Sequence, residues 1–97
     1  MIQSFKSKVT EDIFNGKNSK AARRLLHLSL WNIAFRKLDQ LDSVGSLGDL
    51  KIPPGNRLEA LKGDRYGQYS IRINEQYRIC FFWKDNGPDQ VEIIDYH

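Results

Sequence analysis

The sequence predicts an α+β domain in which N-terminal helices cover one face of a mostly antiparallel sheet of four to five strands. Apolar residues recur at helical spacing up to about residue 42, then at every second position beyond the breaker Pro53-Pro54-Gly55. The links between the alternating segments are short enough for hairpins. At 97 residues the chain has room for one modest core, so a single domain spanning 1–97 is expected.

Taken in order, Ile2 and Phe5 could open a short first strand, and residues 11–15 make about one helical turn ended by Gly16. Ser19 is a suitable N-cap for a long helix reaching about Asp42. At about 100° per residue, Leu28, Leu30, Trp31, Ala34, Phe35, Leu38 and Leu41 share one arc, and Asn32, Arg36, Asp39 and Gln40 fall opposite. His27 lies near that arc and reads as a partly buried structural histidine. Four strands follow at 57–62, 67–74, 77–84 and 91–96, linked by turns at 63–66, 74–76 and 85–90. Tyr69, Ile71 and Ile73 alternate with Ser70, Arg72 and Asn74, and Tyr77, Ile79, Phe81 and Trp83 alternate with Arg78, Cys80, Phe82 and Lys84.

Composition excludes several classes. No apolar run approaches the ~18 residues of a membrane span, and no apolar stretch follows the N-terminal Met1-Ile2-Gln3-Ser4-Phe5-Lys6, so a cytoplasmic protein is expected. The lone Cys80 and the absence of a Cys/His cluster leave no expected metal site or cofactor. Residues 56–65 hold no Gly-rich phosphate loop. The net charge of +3 is unevenly spread: Lys51, Arg57, Lys62, Arg65, Arg72 and Arg78 face only Glu59, Asp64 and Glu75 within residues 51–78. Such a balance suits a polyanionic partner.

Alternation sharpens this. If Leu58, Ala60, Tyr69, Ile71 and Ile73 face the helices, then Arg57, Glu59, Leu61, Arg72 and Arg78 face away. Strands lie about 4.8 Å apart, so Arg57, Arg72 and Arg78 could gather on the uncovered face. Clustered guanidinium groups repel one another unless an anion binds, and phosphate fits their forks. The plainer alternative is that these arginines are solvated or paired with Glu59, Glu75 and Glu92. Cys80 should lie on the Arg78 face or under its rim as packing, Trp31 and Trp83 should be core, and Tyr66 could stack on a base from its turn. Arg23 and Arg24 with Lys17 and Lys20 form a separate basic patch, either solvated surface or a contact for RNA phosphates.

Three segments carry a resemblance: Pro53-Pro54-Gly55-Asn56-Arg57-Leu58-Glu59-Ala60-Leu61-Lys62-Gly63-Asp64-Arg65; Ser70-Ile71-Arg72-Ile73-Asn74 with Gln76-Tyr77-Arg78-Ile79-Cys80-Phe81; and Val91-Glu92-Ile93-Ile94-Asp95-Tyr96-His97. In order and spacing they resemble HigB-like toxins of the RelE/ParE superfamily, which implies the RelE-like fold. It further implies a ribosome-dependent, metal-independent endoribonuclease that cuts messenger RNA in the decoding site and is neutralised by a helix-turn-helix antitoxin. Operator DNA would be contacted only through that antitoxin. The reaction, attack of a ribose 2′-hydroxyl on the adjacent phosphorus, needs a base, positive charge for the phosphorane oxygens and an acid for the 5′-oxygen. The resemblance puts Lys62, Arg72 and Arg78 at basic active-site positions and matches Asp95, Tyr96 and His97 to a C-terminal Asp-Tyr-His. Arg57 and Arg65 are expected to bind substrate. One departure stands out: where some relatives carry a catalytic histidine three residues before the lysine, this chain has Glu59. A carboxylate among arginines is the poorer base, so Glu59 could instead orient Arg72 or Arg78 and leave proton transfer to Tyr96 or to His97, whose ordinary pKa is about 6.5. Two alternatives remain: a non-catalytic ParE-like inhibitor of DNA gyrase, against which Lys62, Arg72, Arg78, Tyr96 and His97 together speak, and a detoxified RNA-binding module, which Glu59 keeps open.

Overall fold

The computed structural model describes residues 1–85 and 87–96. Three helices, α1 (Lys8–Phe14), α2 (Lys20–Leu25) and α3 (Trp31–Ser43), precede a four-stranded antiparallel meander of β1 (Glu59–Ala60), β2 (Gln68–Arg72), β3 (Tyr77–Lys84) and β4 (Gly87–Asp95). Ile71, Ile79, Phe81 and Val91 meet Ile13, Leu26, Leu38 and Leu41 in one core between helices and sheet. The alternation therefore sorts the β2 and β3 side chains as the sequence predicts.

The long helix expected over 19–42 is instead broken. Ser19 does cap its start, accepting from the Ala22 amide at 3.1 Å. The helix stops at Leu25 because Leu26 turns extended, and His27 accepts from the Ser29 amide through Nδ1 at 3.1 Å to begin a 3-10 turn over Leu28–Leu30. Local side-chain capping of this kind competes with continued helix. The Leu26 carbonyl takes the Trp31 indole Nε1–H at 2.9 Å. The break buries Ala22 and Leu26 against α1 while α3 lies along β4, and it leaves His27 exposed rather than partly buried. Phe35, expected on the apolar arc, is 44% exposed with its ring beside Phe14.

At the start of the chain no full strand forms. Residues 3–6 run along the free edge of β4, with a parallel bridge between Phe5 and Val91 and a Lys6 amide bond to the Val91 carbonyl at 3.0 Å. The hydroxyl of buried Thr10 accepts from the Ile93 amide at 3.0 Å, so this edge is covered. α1 is longer than the single turn expected, because Ser7 caps it by accepting from the Thr10 amide. β4 begins at Gly87 rather than 91, paired with Lys84 across a two-residue link. A register shift between Cys80 and Phe82 coincides with Gln90 at φ 50°, which marks a bulge in β4.

The strand expected over 57–62 shrinks to Glu59–Ala60. The breaker continues as a 3-10 turn over Pro54–Asn56, and Arg57 adopts a left-handed conformation at φ 47°. Asn56 anchors this segment. Wholly buried, it donates from Nδ2 to the Leu50 carbonyl and Gln40 Oε1, both at 3.0 Å, and takes the Lys37 ammonium on Oδ1. Burial and neighbouring Arg36 lower the Lys37 pKa. Asn56→Ala would strand the Leu50 carbonyl and Lys37 without this partner. It is expected to lower the unfolding free energy by about 3 kcal/mol, read as a reduced urea midpoint at unchanged slope.

Candidate functional site

The sheet face turned away from the helices is not simply open. Its rows are set by register: Glu59 opposes Ser70, Ser70 opposes Cys80 and Cys80 opposes Glu92, while in the next row Arg72 opposes Arg78 directly. Like charges facing across an antiparallel pair are destabilising. Beneath them Ser70 and Cys80 are fully buried and Gln68 nearly so, forming a polar floor. Leu61 is buried as well, and it stands with Cys80 outside the main core. Burial pushes the Cys80 thiol up to about 11, with smaller opposing contributions from Arg65 and Arg78 and supporting ones from Glu92 and Glu59. A thiol held protonated in this way packs rather than attacks, as expected.

The arginines differ in what holds them. Arg78 donates through Nη1 to the Ser70 hydroxyl at 3.1 Å and to the Arg57 carbonyl at 3.4 Å, and its guanidinium carbon lies 5.0 Å from the centre of the Tyr96 ring. No carboxylate lies within ion-pair distance of it among the described residues. Among the described residues Arg72 pairs only with Glu75, at 3.8 Å and with that carboxylate almost fully exposed, a pairing worth little in water. Arg65 is committed: it pairs with Glu92 at 3.0 Å and donates to Gln68 Oε1 at 3.2 Å. The alternative of arginines neutralised by acids thus describes Arg65, describes Arg72 weakly and does not describe Arg78.

Tyr96 organises the remaining groups. Its hydroxyl donates to Glu59 Oε1 at 3.3 Å. On one side Tyr96 and Glu59 border a cavity of about 480 Å³ with Lys62 and Arg65; on the other, Tyr96 borders one of about 320 Å³ with Arg57, Arg72, Asn74 and Arg78. Asp95 lines a third hollow with Arg65 and Tyr96, and it accepts from Gln76 Nε2 at 3.0 Å. The structure therefore gathers Glu59, Lys62, Arg65, Arg72, Arg78, Asp95 and Tyr96 around one ring, and Arg57 with them. His97 lies outside the described residues. Tyr66, 84% exposed in its turn, borders none of these hollows. Ser70 and Gln68 were not singled out in the sequence; two polar residues at two and four positions before Arg72, on the face that alternation gives to the arginines, were the available signal. Among the described residues no group of three His, Cys, Asp or Glu side chains is placed to hold a metal ion.

Arg57 reaches this site by a route the strand alternation did not foresee. A left-handed backbone costs a residue with a Cβ roughly 1–2 kcal/mol, and here it turns an exposed arginine into the Arg72–Arg78 cavity. Its guanidinium makes no hydrogen bond or ion pair among the described residues. Arg57→Gly keeps the carbonyl that Arg78 uses and relieves the backbone. The variant is expected to gain about 0.5–1 kcal/mol in chemical denaturation. A loss of stability instead would mean that the arginine side chain is structural.

Residues 3–97 match the family model described as "RelE-like toxin of type II toxin-antitoxin system HigB". The chain is 44% identical over 85 residues to toxin HigB-1 of Vibrio cholerae serotype O1, covering 88% of this chain and 86% of that protein. It is 38% identical over 58 residues to an uncharacterized protein of Haemophilus influenzae, covering 60% of this chain and 57% of that one. Among solved structures it is similar to the YoeB-YefM complex from Staphylococcus aureus, with a TM-score of 0.56 at 21% identity over 100% of this chain and 95% of that chain. At that identity the likeness concerns the fold alone.

Proposed function

Because the chain belongs to the HigB family of RelE-like toxins of type II toxin–antitoxin systems, we propose that it is a metal-independent endoribonuclease that cuts messenger RNA held on the ribosome. The observation that carries this reading is Arg78, a guanidinium fixed by Ser70, the Arg57 carbonyl and the Tyr96 ring, opposite Arg72 and, among the described residues, unpaired with any carboxylate. Such a group is oriented before substrate arrives and has charge to give to a phosphate.

In the proposed reaction a base takes the proton of the ribose 2′-hydroxyl, whose oxygen bonds to the adjacent phosphorus. Arg78 and Arg72, with Lys62 across the Tyr96 ring, stabilise the phosphorane oxygens. The P–O5′ bond then breaks, and an acid protonates the leaving oxygen, so the products are a 2′,3′-cyclic phosphate and a 5′-hydroxyl. Proton transfer is assigned to His97 and Tyr96, with Glu59 orienting the tyrosine through its hydroxyl. Arg57 and Arg65 border the path of the RNA strand, and Asp95 fixes the terminal segment by its bond to Gln76. The cognate partner is an antitoxin, proposed to be of helix-turn-helix type and to make the contacts with operator DNA. The cytoplasm is the compartment that fits this work; among the described residues no helix is long and apolar enough to cross a membrane.

Purified protein added to translating ribosomes should generate new messenger 5′ ends bearing hydroxyl groups, while the same RNA without ribosomes stays largely uncut. Efficient cutting of free RNA would contradict ribosome dependence, and 5′-phosphate ends would contradict attack by the 2′-hydroxyl. Growth arrest with intact messenger and inhibited gyrase would assign the protein to the non-catalytic alternative.

A further inference from the structure

Tyr66 is the most exposed aromatic side chain among the described residues, at 84% against 44% for Phe35 and 39% for Tyr96. Phe35 stands beside Phe14 and Tyr96 beneath Arg78, whereas the Tyr66 side chain has no ring partner, cation or hydrogen bond among the described residues. Its backbone, by contrast, is held from both sides. The Tyr66 amide donates to the Gly63 carbonyl at 3.0 Å, closing the 3-10 turn over Gly63–Arg65, and the Leu61 amide donates to the Gln68 carbonyl at 2.8 Å across the base of the turn. Before the ring, Arg65 is tied to Glu92 and Gln68. After it, Gly67 takes φ 93°, a conformation open to glycine, with the Phe82 ring 3.6 Å from where a Cβ would stand. The turn therefore presents one bare ring on a fixed backbone, so a ligand that covers the ring loses little to ordering the loop.

We infer that Tyr66 is a stacking platform for an unpaired base of the messenger strand, outside the Arg72–Arg78 site and on its Arg65 side. The arginine cavity and the two hollows that contain Arg65 all share Tyr96, and Tyr66 is the next residue after Arg65. A strand gripped by its phosphate at the arginines and passing Tyr96 toward Arg65 meets this turn next. Unpaired bases splay out and stack on aromatic side chains, and every base has a face to offer. Phosphate attraction is the lesser part here: the turn carries Lys62, Asp64 and Arg65, and Arg65 already spends its charge on Glu92. A protein partner fits less well, because aromatic anchors of protein interfaces sit within a desolvated apolar patch. The exposed neighbours Lys62, Gly63, Asp64 and Gly67 supply none. The inference rests on the reading of the substrate as ribosome-bound messenger, and it adds a grip on that strand beyond the reacting phosphate.

The test compares Tyr66→Ala, Tyr66→Phe and Tyr66→Trp in cleavage of messenger on programmed ribosomes. Tyr66→Ala is expected to raise KM by about 5- to 100-fold, the loss of one base stack, with kcat within about twofold of wild type. Phe and Trp keep a ring and should stay close to wild type. The salt dependence of KM should not change in any of them, because no charge that meets a phosphate is removed. Thermal unfolding should be unaltered, the side chain being exposed. Messengers carrying one abasic nucleotide at successive positions then identify the base. At one position the wild-type KM should rise to that of Tyr66→Ala, while the KM of the variant stays where it was. An unchanged KM for Tyr66→Ala would overturn the inference, and an equal loss in Tyr66→Phe would assign the contact to the hydroxyl instead of the ring. Weakened binding of Tyr66→Ala to vacant ribosomes, with no abasic position sensitive, would also overturn it by placing the ring on the ribosome. The variant Arg78→Gln separates the two readings: should it still cleave, the arginine site is misassigned whatever the Tyr66 variants do.

Discussion

Arg78→Ala is expected to slow cleavage of ribosome-bound messenger by about 10²- to 10³-fold, the usual effect of removing one preorganised donor from a charged transition state. Stability should change by no more than about 1 kcal/mol: the buried Ser70 hydroxyl loses a partner, but Arg72 loses a like-charged neighbour directly opposite. Arg78→Lys should recover little activity, because an ammonium cannot keep the Ser70 bond and also present a fork to phosphate. Ser70→Ala should fall between, about tenfold down, since Arg78 then rests only on the Arg57 carbonyl and the Tyr96 ring. Rates are read from the appearance of new 5′ ends, and folding from thermal unfolding of the same preparations. An Arg78→Ala protein with wild-type rates would remove this guanidinium from the mechanism and leave the nuclease reading without its main support.

The arginine face could be read from sequence because it depends on a two-residue period, which survives changes of turn and register: once Ile71 and Ile79 go inward, Arg72 and Arg78 must go outward. The opposition of Arg72 and Arg78 needed the hairpin register, set by Asn74, whose Oδ1 accepts from the amides of Gln76 and Tyr77 at 2.9 and 2.7 Å. Arg57 reached the expected site without the expected strand, through a left-handed turn at the end of the proline breaker. Helical periodicity was a poorer guide over 19–42, because His27, Ser29 and the Trp31 indole make local bonds that end α2, which hydrophobic spacing does not register. Arg65 shows the other limit. Its pairing with Glu92 joins the turn after β1 to β4, and a separation of that kind is settled only by the completed sheet. Composition made Arg65 and Arg78 look alike; the Glu92 carboxylate, which pairs with Arg65, distinguishes them.

His97→Ala is expected to lower cleavage by about 10²- to 10⁴-fold, the contribution of a positioned proton-transfer group. The case rests on what the alternatives are doing. The Tyr96 hydroxyl donates to Glu59 and the Tyr96 ring lies against Arg78, so neither group is placed to take the 2′-hydroxyl proton, and the tyrosine is left the acid's part. A base must be unprotonated to act. With His97 in that role, activity should fall as pH drops through the ordinary imidazole range near 6.5, and His97→Ala should abolish that limb of the pH–rate profile. Glu59→Gln keeps an acceptor for the tyrosine and should cost only about tenfold with the limb preserved, an effect of positioning rather than of proton transfer. Should Glu59→Gln remove the limb while His97→Ala retains both rate and limb, the carboxylate is the base, and this chain has moved proton abstraction from a terminal imidazole to the rim of the Lys62 cavity.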